Sequence, residues 1–524
     1  MSGGSQATTV VGLLVFMALC GLLCVVTNSG SEDGDEGPGG DAASGGLRPW
    51  QQGLAISGTG MSSVSLMAIT GMVAVTGHDG VMLLLGMVLS MVLLAMVFAE
   101  PLRRAGRRTV GGAVARRLPG ASVRVPLALV TLLVCLCFLV LQLSAVGAMT
   151  AHVLGLSGTG PRTACIMTVG ALMVSLAVTG GLRGTALVQI VKVGVLLLVY
   201  AALALVVLRR FSWDPDRLLA AAVDGSPFGE ALLGSGVQYG SDAVGVLNQV
   251  GTAIALPLGI ACLPQVTMRV LDVRRPDETR PAMRWAVGQM LVISALLVVV
   301  GFGAAAVVGG NGLAGADPTA GAVLSLAGAL DRDGLLLSAV ACAVFLAALA
   351  TVADVVLAGA RTVAHDLYAH ALRGGGARPG AVAACARWTA PVIGAVAVVL
   401  AVLAGEWPLL LLSTVAATLA ASALAPVLLY SLLWPRFTGR GAVWCLYGST
   451  VLALGLTAAS PMVSGAPTAV FPHLDFHLTS LMAPGVITVP AGFALGWLGS
   501  VLSRSGPAPT RGFRYDGGDR VPRS

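Results

Sequence analysis

The chain has 524 residues, 56% of them hydrophobic and 10% charged, and its mean hydropathy of +0.88 lies far above that of water-soluble domains. The formal net charge of +7 gives little support for a nucleic-acid partner, because the arginines gather in a few short connections, the pattern of a membrane-topology signal. The composition implies one multi-pass, all-α membrane domain over residues 1–503, with a short cytoplasmic tail at 504–524 expected to be disordered.

Apolar stretches of roughly 20 residues, enough helix to cross a bilayer's hydrocarbon core, recur about thirteen times. The first, 7–27, follows Met1-Ser2-Gly3-Gly4-Ser5-Gln6 without a signal peptide's basic flank, so it is expected to be an uncleaved helix with its N-terminus outside. The acidic run Glu32-Asp33-Gly34-Asp35-Glu36 reads as a solvated connection. The second stretch, 52–76, is interrupted at its middle by Gly58-Thr59-Gly60 and followed by Met61-Ser62-Ser63. Backbone that leaves the helix at membrane depth must be buried in protein or line a site.

Further spans are expected at 80–99, 125–155, 163–181, 185–208, 241–267, 285–309, 335–363, 388–405, 408–432, 441–459 and 480–502. The span at 241–267 has its own breakers, Gly251, Pro257 and Gly259, one five-helix unit after the first broken segment, as inverted repeats of a transporter require. Segment 310–334 reads as an external hairpin or short helix over an entrance. Counting inward from an external N-terminus places Arg103 to Arg124, Arg269 to Arg284, Arg361 to Arg387, Arg436 with Arg440, and the tail on the cytoplasmic side. One missed or invented span would put the later clusters outside, against the positive-inside rule.

Several residues could carry chemistry. The glycines and hydroxyls of 57–63 allow unwinding, which frees carbonyls for a cation and aims the amides of the second half-helix at a carboxylate; a close-packed small-residue face is the competing reading. Lys192, the single lysine beside thirty arginines, lies about a turn from Gln189, and it either serves coupling or snorkels to the cytoplasmic interface, which its place near the span's start favours. Asp354, three residues after Thr351, either couples an ion or proton or pairs with Arg361. His365-Asp366 reads as a solvated helix terminus, and Gly374-Gly375-Gly376 lacks the Lys-Ser/Thr of a phosphate loop. Nine cysteines without metal spacing read as packing residues. The chain is not expected to be an enzyme or to hold a cofactor.

From about residue 50 to 460 the chain resembles the solute:sodium symporter family, and within it the cation/acetate branch. The matching text includes Gly53-Leu54-Ala55-Ile56, Gly77-His78-Asp79-Gly80, Ala99-Glu100-Pro101-Leu102-Arg103 and Val188-Gln189-Ile190-Val191-Lys192. It continues with Leu263-Pro264-Gln265-Val266-Thr267-Met268-Arg269, Leu357-Ala358-Gly359-Ala360 and His365-Asp366-Leu367-Tyr368. The resemblance implies a leucine-transporter-like core of five plus five inverted helices over about 52–432. It also implies a Na+ site from the carbonyls of Gly58, Met61 and Ala347 with the side chains at Ala350 and Thr351. Ala350 and Thr351 offer one hydroxyl where sugar and proline members have two, which keeps a proton as the alternative coupling ion. Gln189 replaces those members' aspartate, and Thr59 stands where acetate members have an acidic residue.

The resemblance implies import of a short monocarboxylate, namely acetate, propionate or pyruvate, by cation symport through alternating access in a plasma membrane. The substrate would meet Met61, Ser62, Ser63, Gln142, Ser144 and Gly259. The excess of arginine over lysine suggests a GC-rich bacterial source. A proline-like amino-acid symporter and a solute sensor acting through a partner are the competing readings. The expected partners are the carboxylate, a monovalent cation and the lipid bilayer.

Overall fold

The computed structural model describes Gly12 and residues 47–503, apart from 106–108, 157, 274, 314–317, 332, 406 and 467–468. The expected first span at 7–27 (Gly12 excepted), the acidic run at 32–36 and the tail at 504–524 lie outside the described residues.

The regular secondary structure of the described residues is all helical, with a single isolated β-bridge between Ser464 and Phe471. The first membrane element is a bent pair, Pro49–Gly60 (α1) and Ser63–Thr76 (α2), whose axes turn by 65° at the break. Then come His78–Ala105 (α3), a short helix Val110–Ala115 (α4), Ala121–Val153 (α5), Thr159–Val178 (α6) and Thr185–Arg210 (α7). A surface helix Pro215–Gly225 (α8) leads to Ala243–Ala261 (α9) and Pro264–Leu271 (α10). Pro276–Gly310 (α11), Pro318–Leu330 (α12), Leu335–Leu372 (α13), Pro379–Leu403 (α14), Leu409–Leu433 (α15), Gly439–Ala458 (α16) and Gly485–Val501 (α17) complete the order.

Ten single spans qualify by length and composition among the described residues, or eleven with the bent pair counted as one. The expected last span, 480–502, is present as the 17-residue α17, just under the usual spanning length. Segment 310–334 supplies the short helix α12, whose Val323, Leu324, Leu326 and Ala327 are buried where it packs on α2, α11 and α13.

The break after α1 has a local cause. Met61 and Ser62 both adopt extended backbone, and Ser62 Oγ accepts from Ser65 N at 3.0 Å, capping α2 as a serine N-cap does. The second expected break is corrected by the structure. Gly251, Pro257 and Gly259 lie inside the continuous helix α9, and the chain leaves helix at Cys262-Leu263, where Pro264 then opens α10. The glycines serve close approach instead: a Cβ on Gly251 would stand 2.5 Å from Ala483 O, and one on Gly259 2.5 Å from Ala417 O. Small residues that bring helix backbones together are the usual device where no solvent drives apolar faces together.

The basic connections do converge on one end of the bundle. Glu100 pairs with Arg104 and, at 2.8 Å, with Arg280; Arg361 pairs with Asp272 at 2.9 Å; and Arg117 donates to Ser431 O at 3.0 Å. Asp366 is corrected from a solvated terminus: it is 1% exposed, takes the Thr109 hydroxyl at 2.9 Å, and fixes the N-cap of α4 against the π-helical end of α13. At the other end Asp79 accepts from Gly236 N, Gln238 N and Gln249 Nε2, tying the 211–241 segment to the start of α3.

Candidate functional site

The site is built around the α1–α2 break. In a continuous helix Ser65 N would bond Met61 O, but Ser62 Oγ takes that amide, so the Met61 carbonyl is released. Gly58 lets α7 come close: a Cβ there would stand 2.9 Å from Gln189 Oε1 and 3.0 Å from Val193 Cγ2. Through that approach Lys192 reaches the break. Its Nζ donates to Gly58 O at 2.5 Å and Met61 O at 2.8 Å, and the residue is 0% exposed. Snorkelling to the interface is therefore corrected, because the ammonium points into the bundle and ends on the carbonyls at the break, that of Met61 freed and that of Gly58 shared with Met61 N.

Asp354 is also placed differently from its expected pairing. Its partner is Arg269 of α10, whose Nη2 lies 2.6 Å from Oδ1; Arg361 goes to Asp272 instead. Two turns of helix separate Asp354 from Arg361 on α13, whereas the α9–α10 break carries Arg269 directly over the carboxylate. Thr59 Oγ1 at 2.7 Å and Gln189 Nε2 at 2.8 Å complete the set on Oδ2. Three donors from three separate elements thus meet one carboxylate. A small pocket lined by Thr185, Gln265, Met268, Arg269, Asp354 and Leu357 opens beside this network.

The α13 residues named for the cation are buried close by but already hold local partners. Thr351 Oγ1 donates to Ala347 O at 2.7 Å, and the Ala350 carbonyl accepts from Gln189 Nε2 at 3.2 Å. Gln189 consequently bridges α7 to both Ala350 and Asp354.

On the α2 side of the break, Ser63 Oγ donates to Gln142 Oε1 of α5 at 2.7 Å, while Gln142 Nε2 is buried without a partner. Ser144 is not brought to the same point. Two residues further along α5 its side chain lies roughly 200° round the helix, and its hydroxyl is buried elsewhere without a partner. Gly259 meets α15 rather than the break, so that approach leaves no room for a ligand on its Cα.

Two residues outside the expected set belong here. Gln289 of α11 is 7% exposed with its Nε2 3.9 Å from Met61 Sδ and Oε1 without a partner, and Gln265 of α10 is buried with both side-chain polar atoms unmatched. The sequence signal for both is the same, a lone amide inside an apolar run.

A broken helix with the Lys192 ammonium on the carbonyls at its break and an unmatched amide donor beside the second half-helix forms a layout suited to holding a solute. The profile of the sodium:solute symporter family matches residues 42–448. The chain is 32% identical over 490 residues to a monocarboxylic acid transporter of Corynebacterium glutamicum, covering 91% of this chain and 88% of that one. It is also 32% identical over 495 residues to the uncharacterized symporter YwcA of Bacillus subtilis, covering 94% of each. Its fold is similar to that of a Na+-coupled sialic acid symporter in a substrate-bound outward-open state, with a TM-score of 0.68 at 15% identity over 95% and 98% of the two chains. The chain shares the fold of that symporter, and it belongs to the sodium:solute symporter family, a family of multi-pass membrane transporters.

Proposed function

We propose that the protein imports a short monocarboxylate, of the size of acetate, propionate or pyruvate, across a bacterial plasma membrane by cation symport through alternating access. The observation that carries the substrate class is the Ser63–Gln142 contact. It fixes the Gln142 amide beside the start of α2 with its Nε2 donors unmatched, next to a helix N-terminus that favours negative charge. A carboxylate satisfies both, and the buried surroundings suit a small apolar body. The 32% identity to a monocarboxylic acid transporter along nearly the whole chain supports the same class.

The test is uptake of radiolabelled acetate and pyruvate into proteoliposomes under an imposed inward cation gradient, with protein-free vesicles correcting for leak of the undissociated acid. Saturable uptake, competed by propionate and not by proline, is expected. Uptake competed equally by proline would replace the monocarboxylate with an amino acid, and specific binding without flux would favour a sensor. Gln142→Leu should raise the KM for carboxylate by about ten- to a hundredfold, as loss of a hydrogen bond to a charged group worth about 1.5–3 kcal/mol implies.

A further inference from the structure

The pocket beside Asp354 holds polar groups that the break does not use. On α10 it is lined by Gln265, Met268 and Arg269, which share one helix face, and on α13 by Asp354, Leu357, Ala358 and Arg361, which share another. Gln265 is 3% exposed, and neither Oε1 nor Nε2 of its side chain has a partner among the described residues. An unmatched buried amide lowers stability, so an occupant that completes it is the natural reason for its place in this wall. Among the described residues Arg269 bonds only through Nη2, to Asp354 Oδ1 at 2.6 Å and to Thr185 Oγ1 of α7 at 3.3 Å, which leaves the N–H groups of Nε and Nη1 unused.

We propose that this pocket is a second binding station for the transported acid, holding its carboxylate on Gln265 Nε2 and the unused N–H groups of Arg269 after it has left the α1–α2 break and before it reaches the cytoplasm. This rests on the monocarboxylate reading above. The pocket stands between the two ends of that path. Asp354 joins it to the break, because its Oδ2 takes the Thr59 hydroxyl of α1 at 2.7 Å. Arg361 joins it to the arginine-rich end through Asp272 at 2.9 Å, the end that the positive-inside rule places in the cytoplasm. Met268, Leu357 and Ala358 supply apolar surface for the short body of the acid.

The charge balance suits a station on a path and not a trap. Arg269 and Arg361 are each paired with a carboxylate, Asp354 and Asp272, so no excess positive charge is left and directed hydrogen bonds do most of the holding. Both oxygens of Asp354 are engaged, Oδ1 by Arg269 and Oδ2 by Thr59 and Gln189, which blunts its repulsion of a second carboxylate. A solute in transit has to bind well enough to enter and weakly enough to leave. α10 follows the interruption at Cys262-Leu263, so a swing about that point would widen the gap between α10 and α13 and admit the acid.

The experiment measures pyruvate exchange from each face of the membrane, in right-side-out and in everted vesicles, for the wild type, Gln265→Met and Gln265→Asn, with vesicles lacking the protein as the blank. Methionine keeps the bulk of the side chain without its amide, and asparagine keeps the amide on a shorter stem. Both variants are expected to raise the half-saturating pyruvate concentration on the cytoplasmic face by about tenfold, as loss of one hydrogen bond to a charged group implies, and to leave that on the external face within about twofold of the wild type. A half-saturation unchanged on the cytoplasmic face would leave Gln265 holding a water only and overturn the proposal. An equal rise on both faces would overturn it too, by making Gln265 part of the site at the break. Should Gln265→Met fold poorly, Gln265→Asn carries the same readings. Wild-type vesicles that exchange no pyruvate from either face would sink the monocarboxylate reading and the station with it, an outcome told apart from the others by the wild type alone.

Discussion

Asp354 and Arg269 are 4% and 12% exposed at their side chains, and in such surroundings each depends on the other. Removing one member of a buried pair strands a charge at a cost of about 3–5 kcal/mol, whereas removing both can be nearly neutral. Arg269→Gln alone should therefore lower the thermal stability of the purified protein clearly, and Arg269→Gln with Asp354→Asn should recover much of the loss; a double variant no more stable than the single would deny the pairing. Asp354, Gln189 and Lys192 were legible as candidates because ionisable and amide groups in apolar runs are rare and costly. Their partners were not, because Thr59, Arg269 and Asp354 are distant in sequence and meet only through packing.

The elements depend on glycine in two distinct ways. At Gly251 and Gly259 a Cβ would sit 2.5 Å from a neighbouring carbonyl oxygen, whereas at Gly194 and Gly288 nothing stands within 4 Å. Gly259→Ala is accordingly expected to destabilise by about 1–3 kcal/mol through forced separation of α9 and α15. Gly194→Ala should be neutral or stabilising by up to about 1 kcal/mol through helix propensity. Thermal unfolding of the two variants side by side checks both, and equal effects would mean that α9 does not approach α15 as described. The α1–α2 break invites a related test: Ser62→Ala removes the cap on Ser65 N and should cost about 1 kcal/mol, measured as a fall in unfolding midpoint. Composition alone cannot separate the glycines of 57–63 from those of α9, since small residues serve unwinding and close packing alike. Ser62 decides the difference locally, by offering an alternative acceptor to the backbone.

At the scale of the whole molecule, the ion pairs of Glu100, Arg280, Asp272 and Arg361 and the Arg117–Ser431 bond gather connections from across the chain at one end, opposite the Asp79 contacts. The positive-inside rule predicts that this arginine-rich end faces the cytoplasm. In a cysteine-free background, a single cysteine replacing Arg378 should resist a membrane-impermeant maleimide added to intact cells, while one replacing Asp216 on α8 should react at once. The reverse pattern would invert the orientation.

The sequence by itself determined that this is a multi-pass helical membrane protein, where most of its spans run and where one of them breaks. Those features follow from apolar length and from residues a few positions apart, so near neighbours suffice to specify them. Only the tertiary structure decided that the second interruption falls at Cys262-Leu263, that Asp354 belongs to Arg269, and that Lys192 turns inward onto Gly58 and Met61. Each of those outcomes is a competition among several acceptors or packing faces of similar local merit. It is settled by which helices stand side by side, a long-range property that no window of the sequence contains.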